Sequence, residues 1–252
     1  MMAHDETPDQ LTAALGGLAA PLSLDLTTRL FGRWTTVPGP VGELFLAYTD
    51  VGVSYIRTAA SVRGRAEVFR EHFHQRFNRP LQHVAAVPAG LFPDAARAQE
   101  APVDLRTLTS FERDVLTATR EIPVGQVRPY AWIAKAIGRP KAVRAVGTAL
   151  GNNPVPVLIP CHRVVRADGH LGQYVFGADV KEDLLRAEES NVDEMRALAD
   201  ARRAVVGHDG VVCYPSCDRI RSVPAASRRA FRTVAQAVQA GYRPCERCGP
   251  VA

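Results

Sequence analysis

The sequence predicts three modules in order: a small α/β N-terminal domain, an α-helical domain containing a helix-turn-helix, and a small cysteine-bearing α/β domain. Three observations predict this. Short strand-like runs and one amphipathic helix fill the first part. Three short helical stretches, punctuated by Gly and Pro, fill the middle. Four of the five cysteines then fall in two close pairs near the end. The chain has 252 residues, 46% hydrophobic and 23% charged, which suffices for two or three small cores. No apolar run approaches the roughly 18 residues of a membrane helix. The polar, acidic opening MMAHDETPDQ lacks the basic flank and apolar stretch of a secretory signal. A cytoplasmic, monomeric protein with no membrane partner is expected.

Residues 1–24, rich in Ala, Gly and Leu without turn-bounded strands, read as a mobile leader. The α/β domain is assigned to 25–106. Strand signals begin near Thr28, residues 44–48 read as a strand, 49–52 as a hairpin turn, and 53–56 as the return strand. Residues 67–77 read as a helix with Val68, Phe69, His72, Phe73 and Arg76 at helical spacing. The proline-bearing stretch 80–102 reads as partly irregular. The helical domain is assigned to 107–190. Thr109 or Ser110 caps a helix over 111–121, which Pro123 and Gly125 end. A second helix, 130–137, closes at Gly138. Pro140 opens a third that runs to Leu150 and stops at Gly151-Asn152-Asn153-Pro154. These two helices and their Gly138-Arg139-Pro140 link outline the helix-turn-helix. An apolar run 155–159, a hairpin turn at Asp168-Gly169, and a helix over 181–189 with Leu184 and Leu185 inward follow. A connecting helix over 192–204 leads into the last domain, 191–252.

The chain carries 31 Lys and Arg against 26 Asp and Glu, a formal charge of +5. Only Lys135, Lys141 and Lys181 are lysines. A mildly basic chain fits an anionic partner such as DNA; the arginine bias adds nothing, because a GC-rich genome gives the same bias. Five cysteines, an odd number, without a secretion signal argue against a disulfide framework. Cys161 stands alone, as a nucleophile or a buried apolar residue. Cys213-x3-Cys217 and Cys245-x2-Cys248 have the paired spacing of a tetrahedral zinc site. A fold of about 60 residues often needs such a staple. No organic cofactor is implied. His4, His72, His74, His83, His170 and His208 are scattered without a ligand pattern and read as surface or packing residues.

A cysteine followed by histidine is by itself most simply a buried cysteine beside an incidental histidine. Its surroundings change that. The stretch 111–188 contains Ile122-Pro123-x-Gly125, Tyr130, Arg144-Ala145-Val146-Gly147, Asn153-Pro154, Pro160-Cys161-His162-Arg163-Val164-Val165, Gly172-x-Tyr174, and Lys181 through Leu184-Leu185 to Glu188. In order and spacing these resemble the O6-alkylguanine-DNA alkyltransferase family. Val41-Gly42-Glu43-Leu44-x-Leu46-Ala47-x-Thr49-x-x-Gly52 is similar to that family's N-terminal domain, which implies an RNase H-like fold. The resemblance implies transfer of an alkyl group from guanine O6 to Cys161. Attack at saturated carbon needs a strong nucleophile, and a free thiol with a pKa near ~8.5 needs a base to ionise it. The matching positions make His162 that base, acting through water, and Glu188 its orienter. They make Tyr130 a donor to the leaving base and Asn153 the residue that orders the turn. The thioether product does not hydrolyse, so each molecule acts once.

The target atom lies inside double-stranded DNA, so its nucleotide must be extruded. The resemblance implies that the second helix of the helix-turn-helix enters the minor groove and that Arg144 fills the vacated stack. Ala142, Ala145 and Ala149 recur on one expected face without bulk, with Gly147 nearby, and Val143, Val146 and Leu150 form the expected core stripe. After Tyr174 the chain reads Val175-Phe176-Gly177, where many members carry smaller residues. Phe176 is expected to narrow the pocket, leaving methyl as the favoured group. The segments 210–217 and 240–250 resemble the zinc domain of Ada-type adaptive-response proteins, which implies zinc held by Cys213, Cys217, Cys245 and Cys248. Cys213 matches the position that accepts methyl from a DNA phosphotriester, but Tyr214 follows it where a basic residue is usual. Two readings stay open: Cys213 as second acceptor, or a structural zinc domain with Arg219, Arg221, Arg228, Arg229 and Arg232 on phosphates.

Overall fold

A computed structural model describes residues 31–88, 90–91 and 100–251. The expected leader, the strand signal near Thr28, His4 and part of 80–102 lie outside the described residues. Three strands, β1 (Gly32–Gly39), β2 (Gly42–Tyr48) and β3 (Val53–Thr58), form an antiparallel meander. After α1 (Ala66–Phe77), β4 (Leu81–His83) adds parallel to β1, giving the order β3-β2-β1-β4. The alternation of β2 sends Leu44 and Leu46 to one face and Phe45 and Ala47 to the other. Both faces are covered, so the strand reads as an unbroken apolar run. Phe69 and Phe73 of α1 cover one face, while His72 and Arg76 face outward. The expected turn forms, with Thr49 N–H donating to Gly52 O at 2.9 Å. Gly52 is required there, because a Cβ would lie 2.5 Å from the Pro102 carbonyl.

The other face of the sheet packs on helices. These are α2 (Ser110–Arg120), α3 (Tyr130–Ala136) and α4 (Val143–Gly151), which bury Val115, Leu116, Ile133, Val146 and Leu150 in one cluster with Leu44, Leu46 and Ile56. A two-residue strand β5 (Arg128–Pro129) precedes α3 and pairs in parallel with β6 (Val164–Val165). Then come α5 (Ala178–Ala187) and α6 (Val192–Asp200). The last unit is a sheet of β7 (Val205–His208), β8 (Val211–Cys213), β9 (Arg229–Phe231) and β10 (Arg243–Pro244), ordered β10-β8-β7-β9, with α7 (Val234–Gln239) beside it. Among the described residues no helix is long and apolar enough to cross a membrane.

The structure corrects three expectations. Helix α4 starts at Val143, with Pro140 in the preceding turn that Ala142 N–H closes onto Arg139 O at 2.9 Å. Its buried stripe is therefore Val146, Ala149 and Leu150, and Val143 is 36% exposed. Ala149 thus leaves the expected small-residue face for the core, and Val143 leaves the core for the surface. At 166–170 the expected turn closes, with Gly169 N–H on Arg166 O at 3.0 Å and Arg166 N–H on His170 O at 2.9 Å, but no strand continues from it among the described residues, and the ladder of β6 is with β5. Finally, α6 stops at Asp200, short of 204: Arg202 turns left-handed with φ 56° and Arg203 N–H donates back to Leu198 O at 2.7 Å, which closes the helix end.

Helix α2 carries a full capping box: Glu112 N–H donates to Thr109 Oγ1 at 3.3 Å, and Thr109 N–H donates to Glu112 Oε2 at 3.0 Å. Thr109→Ala should destabilise the protein by about 1 kcal/mol and Thr109→Ser should not. Urea unfolding measures both, and equal midpoints for wild type and Thr109→Ala would contradict the capping role.

Candidate active site and metal centre

The Cys161 site is built where α4 ends. Asn153, fully buried, follows the last turn and accepts at Oδ1 from Val155 N–H at 3.0 Å. Its Nδ2 donates to Ile159 O at 3.1 Å and to Cys161 Sγ at 3.2 Å. One amide side chain thus closes the 153–161 loop and touches the sulfur. The same loop is fixed to the sheet by Ile56 N–H donating to Pro154 O at 2.8 Å. After Pro160 the chain makes a single 3₁₀ turn, Cys161–Arg163, and all three of its side chains are buried.

Glu188 closes the site from the end of α5. Its Oε1 lies 2.9 Å from His162 Nε2 and accepts from Arg163 Nη2 at 2.6 Å. Its Oε2 accepts from Arg163 Nε at 2.8 Å and from Gly125 N–H at 3.2 Å. Burial alone would raise the Glu188 carboxyl, but the hydrogen bonds and charges of His162 and Arg163 outweigh it and hold the group at about 2. Glu188 is therefore an ionised acceptor, which places the His162 proton on Nε2. His162 Nδ1 is buried and has no hydrogen-bond partner among the described residues. Burial lowers His162 below the ordinary imidazole range. Burial also raises the Cys161 thiol, opposed by the Asn153 hydrogen bond and the Lys181 charge.

Other site residues fall nearby. Tyr130 opens α3 half-buried, and burial raises its phenol. A Cβ at Gly147 would lie 3.9 Å from its ring and one at Gly172 3.9 Å from its hydroxyl. Tyr174 stands edge-on to His162, with ring centroids 6.0 Å apart, and edge-on to Phe176 at 5.5 Å. On α4, Arg144 and Ala145 are exposed and Ala142 is half-buried. The motif holds two further residues whose placement its sequence does not reveal. Arg163 is fully buried on Glu188, with Nη1 donating to Ile122 O at 2.6 Å. Lys181 is fully buried, its amine donating to Val164 O at 2.6 Å and lowered to about 8 by burial. Nothing in a one-dimensional pattern marks a cation as buried.

The cysteine pairs meet in the terminal sheet. Cys213 ends β8, Cys217 follows one turn later, Cys245 follows β10 with its N–H on Val212 O, and Cys248 ends the next turn. Their four Sγ atoms lie within 4.8 Å of one another, and all four residues are buried. None is in a disulfide. Four thiols so close cannot ionise together without a cation between them, so the set fits one Zn²⁺ in an all-thiolate shell. Arg219, Arg221, Arg229 and Arg232 are exposed. Arg228 departs from the phosphate-contact expectation: its side chain is 7% exposed and paired with Glu194 at 2.7 Å. Among the histidines, His72, His74 and His170 are exposed, His83 packs on Trp34, and His208 bonds Ser227 O.

The Glu188 site yields a pH prediction. A carboxyl held below its unfolded value of 4.5 contributes stability that is complete above that pH and lost as pH falls toward about 2. Glu188→Gln should cost on the order of 3 kcal/mol at neutral pH. The gap to wild type should close between about pH 4.5 and about 2. Parallel stability curves across that window would contradict it.

Residues 110–190 match the profile of the 6-O-methylguanine DNA methyltransferase DNA-binding domain, and residues 187–251 match that of the metal-binding domain of Ada. The methylated-DNA–protein-cysteine methyltransferase of Methanosarcina acetivorans is 37% identical over 158 residues, covering 60% of this chain and 94% of that protein. The one from Methanosarcina barkeri is 45% identical over 166 residues, covering 62% and 96%. The bifunctional transcriptional activator and DNA repair enzyme Ada of Escherichia coli is 46% identical over 164 residues, covering 63% of this chain and 46% of that protein. Among solved structures, Mycobacterium tuberculosis OGT in complex with DNA superposes with a TM-score of 0.50 at 31% identity, covering 65% of this chain and 98% of that one. The chain belongs to the methylated-DNA–protein-cysteine methyltransferase family and joins to it an Ada-type metal-binding domain.

Proposed function

We propose that the protein repairs double-stranded DNA by moving the alkyl group of an O6-alkylguanine, chiefly methyl, onto Cys161, once per molecule. The observation that carries this is the polarity of the buried relay. The Nε2 atom of His162 is committed to ionised Glu188, so Nδ1 is the ring atom left to take a proton. The Cys161 proton passes, through water, to His162 Nδ1. The sulfur attacks the alkyl carbon, an S–C bond forms, and the C–O6 bond breaks with its electron pair on the base. Guanine takes up a proton, which balances the one the thiol lost. Tyr130 donates to the leaving base, Asn153 keeps Sγ in line, and Glu188 stabilises the imidazolium. The thioether has no hydrolytic exit, so there is no turnover.

The nucleotide reaches this site by extrusion. In this reading α3 and α4 are the helix-turn-helix, α4 enters the minor groove with Ala142, Ala145 and Gly147 near the backbone, and Arg144 fills the stack. The exposure of Arg144 and Ala145 supports this. An N-terminal module of RNase H-like kind is supported by the meander extended by a parallel β4. The module limits near 25–106, 107–190 and 191–252, a monomeric state and a cytoplasmic location belong to the same proposal. Phe176, packed on Tyr174, narrows the pocket toward methyl. Zinc held by Cys213, Cys217, Cys245 and Cys248 would staple the module together, offsetting only part of the charge of the four thiolates. Of the two readings of that module, the structural one is favoured: Cys213 is 1% exposed, and the Tyr214 ring is packed against Arg128.

Cys161→Ala should abolish transfer from O6-methylguanine DNA, read as loss of the methyl adduct in intact mass, with DNA affinity changed less than about threefold, since a buried thiol contributes little to phosphate-dominated binding. An adduct still forming on the variant would move the acceptor elsewhere. Arg144→Ala should slow repair of duplex DNA by about tenfold or more and leave reaction with free O6-alkylguanine base unchanged. Equal losses on both substrates would rule out the stack-filling role.

A further inference from the structure

The transfer site and the metal centre share one short segment, residues 125–130. At its start, Gly125 donates its N–H to Glu188 Oε2 at 3.2 Å, and a Cβ at Gly125 would lie 2.6 Å from the Glu188 carbonyl oxygen. At its end stands Tyr130. Between them, β5 pairs with β6, the strand that leaves the Cys161–Arg163 turn.

The middle of the segment is held from the other side. Ser216 lies between the ligands Cys213 and Cys217, and its Oγ accepts from Val127 N–H at 2.9 Å. Both partners are buried, so the metal loop supplies the hydrogen bond that this amide requires. Gln126 Nε2 donates to Oδ2 of Asp218, the residue after Cys217, at 2.9 Å. Arg128, 2% exposed, donates to Gln126 Oε1 at 2.7 Å and lies over the ring of Tyr214 at 5.6 Å. Trp132 packs against both the alkyltransferase core and the core of the metal module.

We propose that the loop between the metal ligands is a positioning part of the alkyl-transfer site. Ser216, through Val127, and Asp218, through Gln126, hold the segment in register, so that Gly125 meets Glu188 and Tyr130 meets the extruded base. Metal binding fixes the 213–217 loop and thereby presets a site whose reacting atoms belong to another module. The inference rests on the function proposed above for Cys161.

The test uses the full chain, loaded with zinc, as wild type, Ser216→Ala and Ser216→Thr. Three quantities are read: zinc per chain, amide hydrogen exchange at Val127 and Gly125, and single-turnover methyl transfer from duplex DNA carrying O6-methylguanine. Ser216→Ala should keep its zinc, raise exchange at both amides, and slow transfer about tenfold, the scale of one lost buried hydrogen bond. Ser216→Thr, which retains the hydroxyl, should restore both. Unchanged exchange at Gly125 together with an unchanged transfer rate would overturn the coupling. If Ser216→Ala sheds zinc, Gln126→Ala, outside the metal loop, decides by the same criteria. Absence of transfer by wild type would defeat the functional reading instead, and exchange at Gly125 would still decide the coupling.

Discussion

Three segments of the molecule meet on one partly buried carboxylate, that of Glu188. Arg163 is fully buried and His162 is 1% exposed, and the two lie side by side in one 3₁₀ turn. A guanidinium taken out of water costs several kcal/mol unless it is paired and hydrogen-bonded. Glu188 supplies both, taking two bonds from Arg163, one from His162 and one from Gly125. The end of α5, the Cys161–Arg163 turn and the 125–130 segment are therefore fixed to one another by a single side chain. Arg163 carries the linkage on to Ile122 at the end of α2. Removing the carboxylate would strip Arg163 of two charge-assisted hydrogen bonds and release the tie among the three segments.

Sharing the carboxylate also tunes the chemistry. An imidazole with a dedicated carboxylate is driven toward its protonated form. Here burial disfavours imidazolium and outweighs the pull of Glu188, with the Arg163 charge acting in the same direction as burial, so His162 rests neutral with Nδ1 available. Burial likewise keeps the Cys161 thiol protonated at rest, with Asn153 and the Lys181 charge ready to favour thiolate. A protein that reacts once gains from this arrangement. A permanently ionised thiol would be open to oxidation before it met DNA. The sulfur becomes nucleophilic when its proton has somewhere to go and a substrate carbon is in place.

Legibility in the sequence follows the range of each cause. A helix cap at Thr109, one of the two candidates, the β2–β3 turn and the close cysteine pairs are short-range patterns, and all appear where expected. The Cys161-His162 pair and Glu188 were found through ordered motifs, and the fold brings His162 and Glu188 to hydrogen-bond distance. The start of α4 was placed too early, and Val143 rather than Ala149 was assigned to the core, because Pro140 can open a helix locally, whereas here it sits in the turn that Arg139 and Ala142 close. The burial of Arg163, Lys181 and Arg228 was not legible. Each looks like a surface cation until a distant partner, Glu188, Val164 or Glu194, is brought beside it. The contact between the metal loop and the 125–130 segment spans about ninety residues of sequence and leaves no local trace.

Glu188 fixes His162 as a neutral imidazole with its proton on Nε2. Nitrogen NMR of the protein labelled at the histidine rings reads this directly. At neutral pH His162 should be uncharged, with a protonated Nε2 and a bare Nδ1, and should remain so to a lower pH than the exposed His72 and His74. An imidazolium at neutral pH, or a proton on Nδ1, would contradict it.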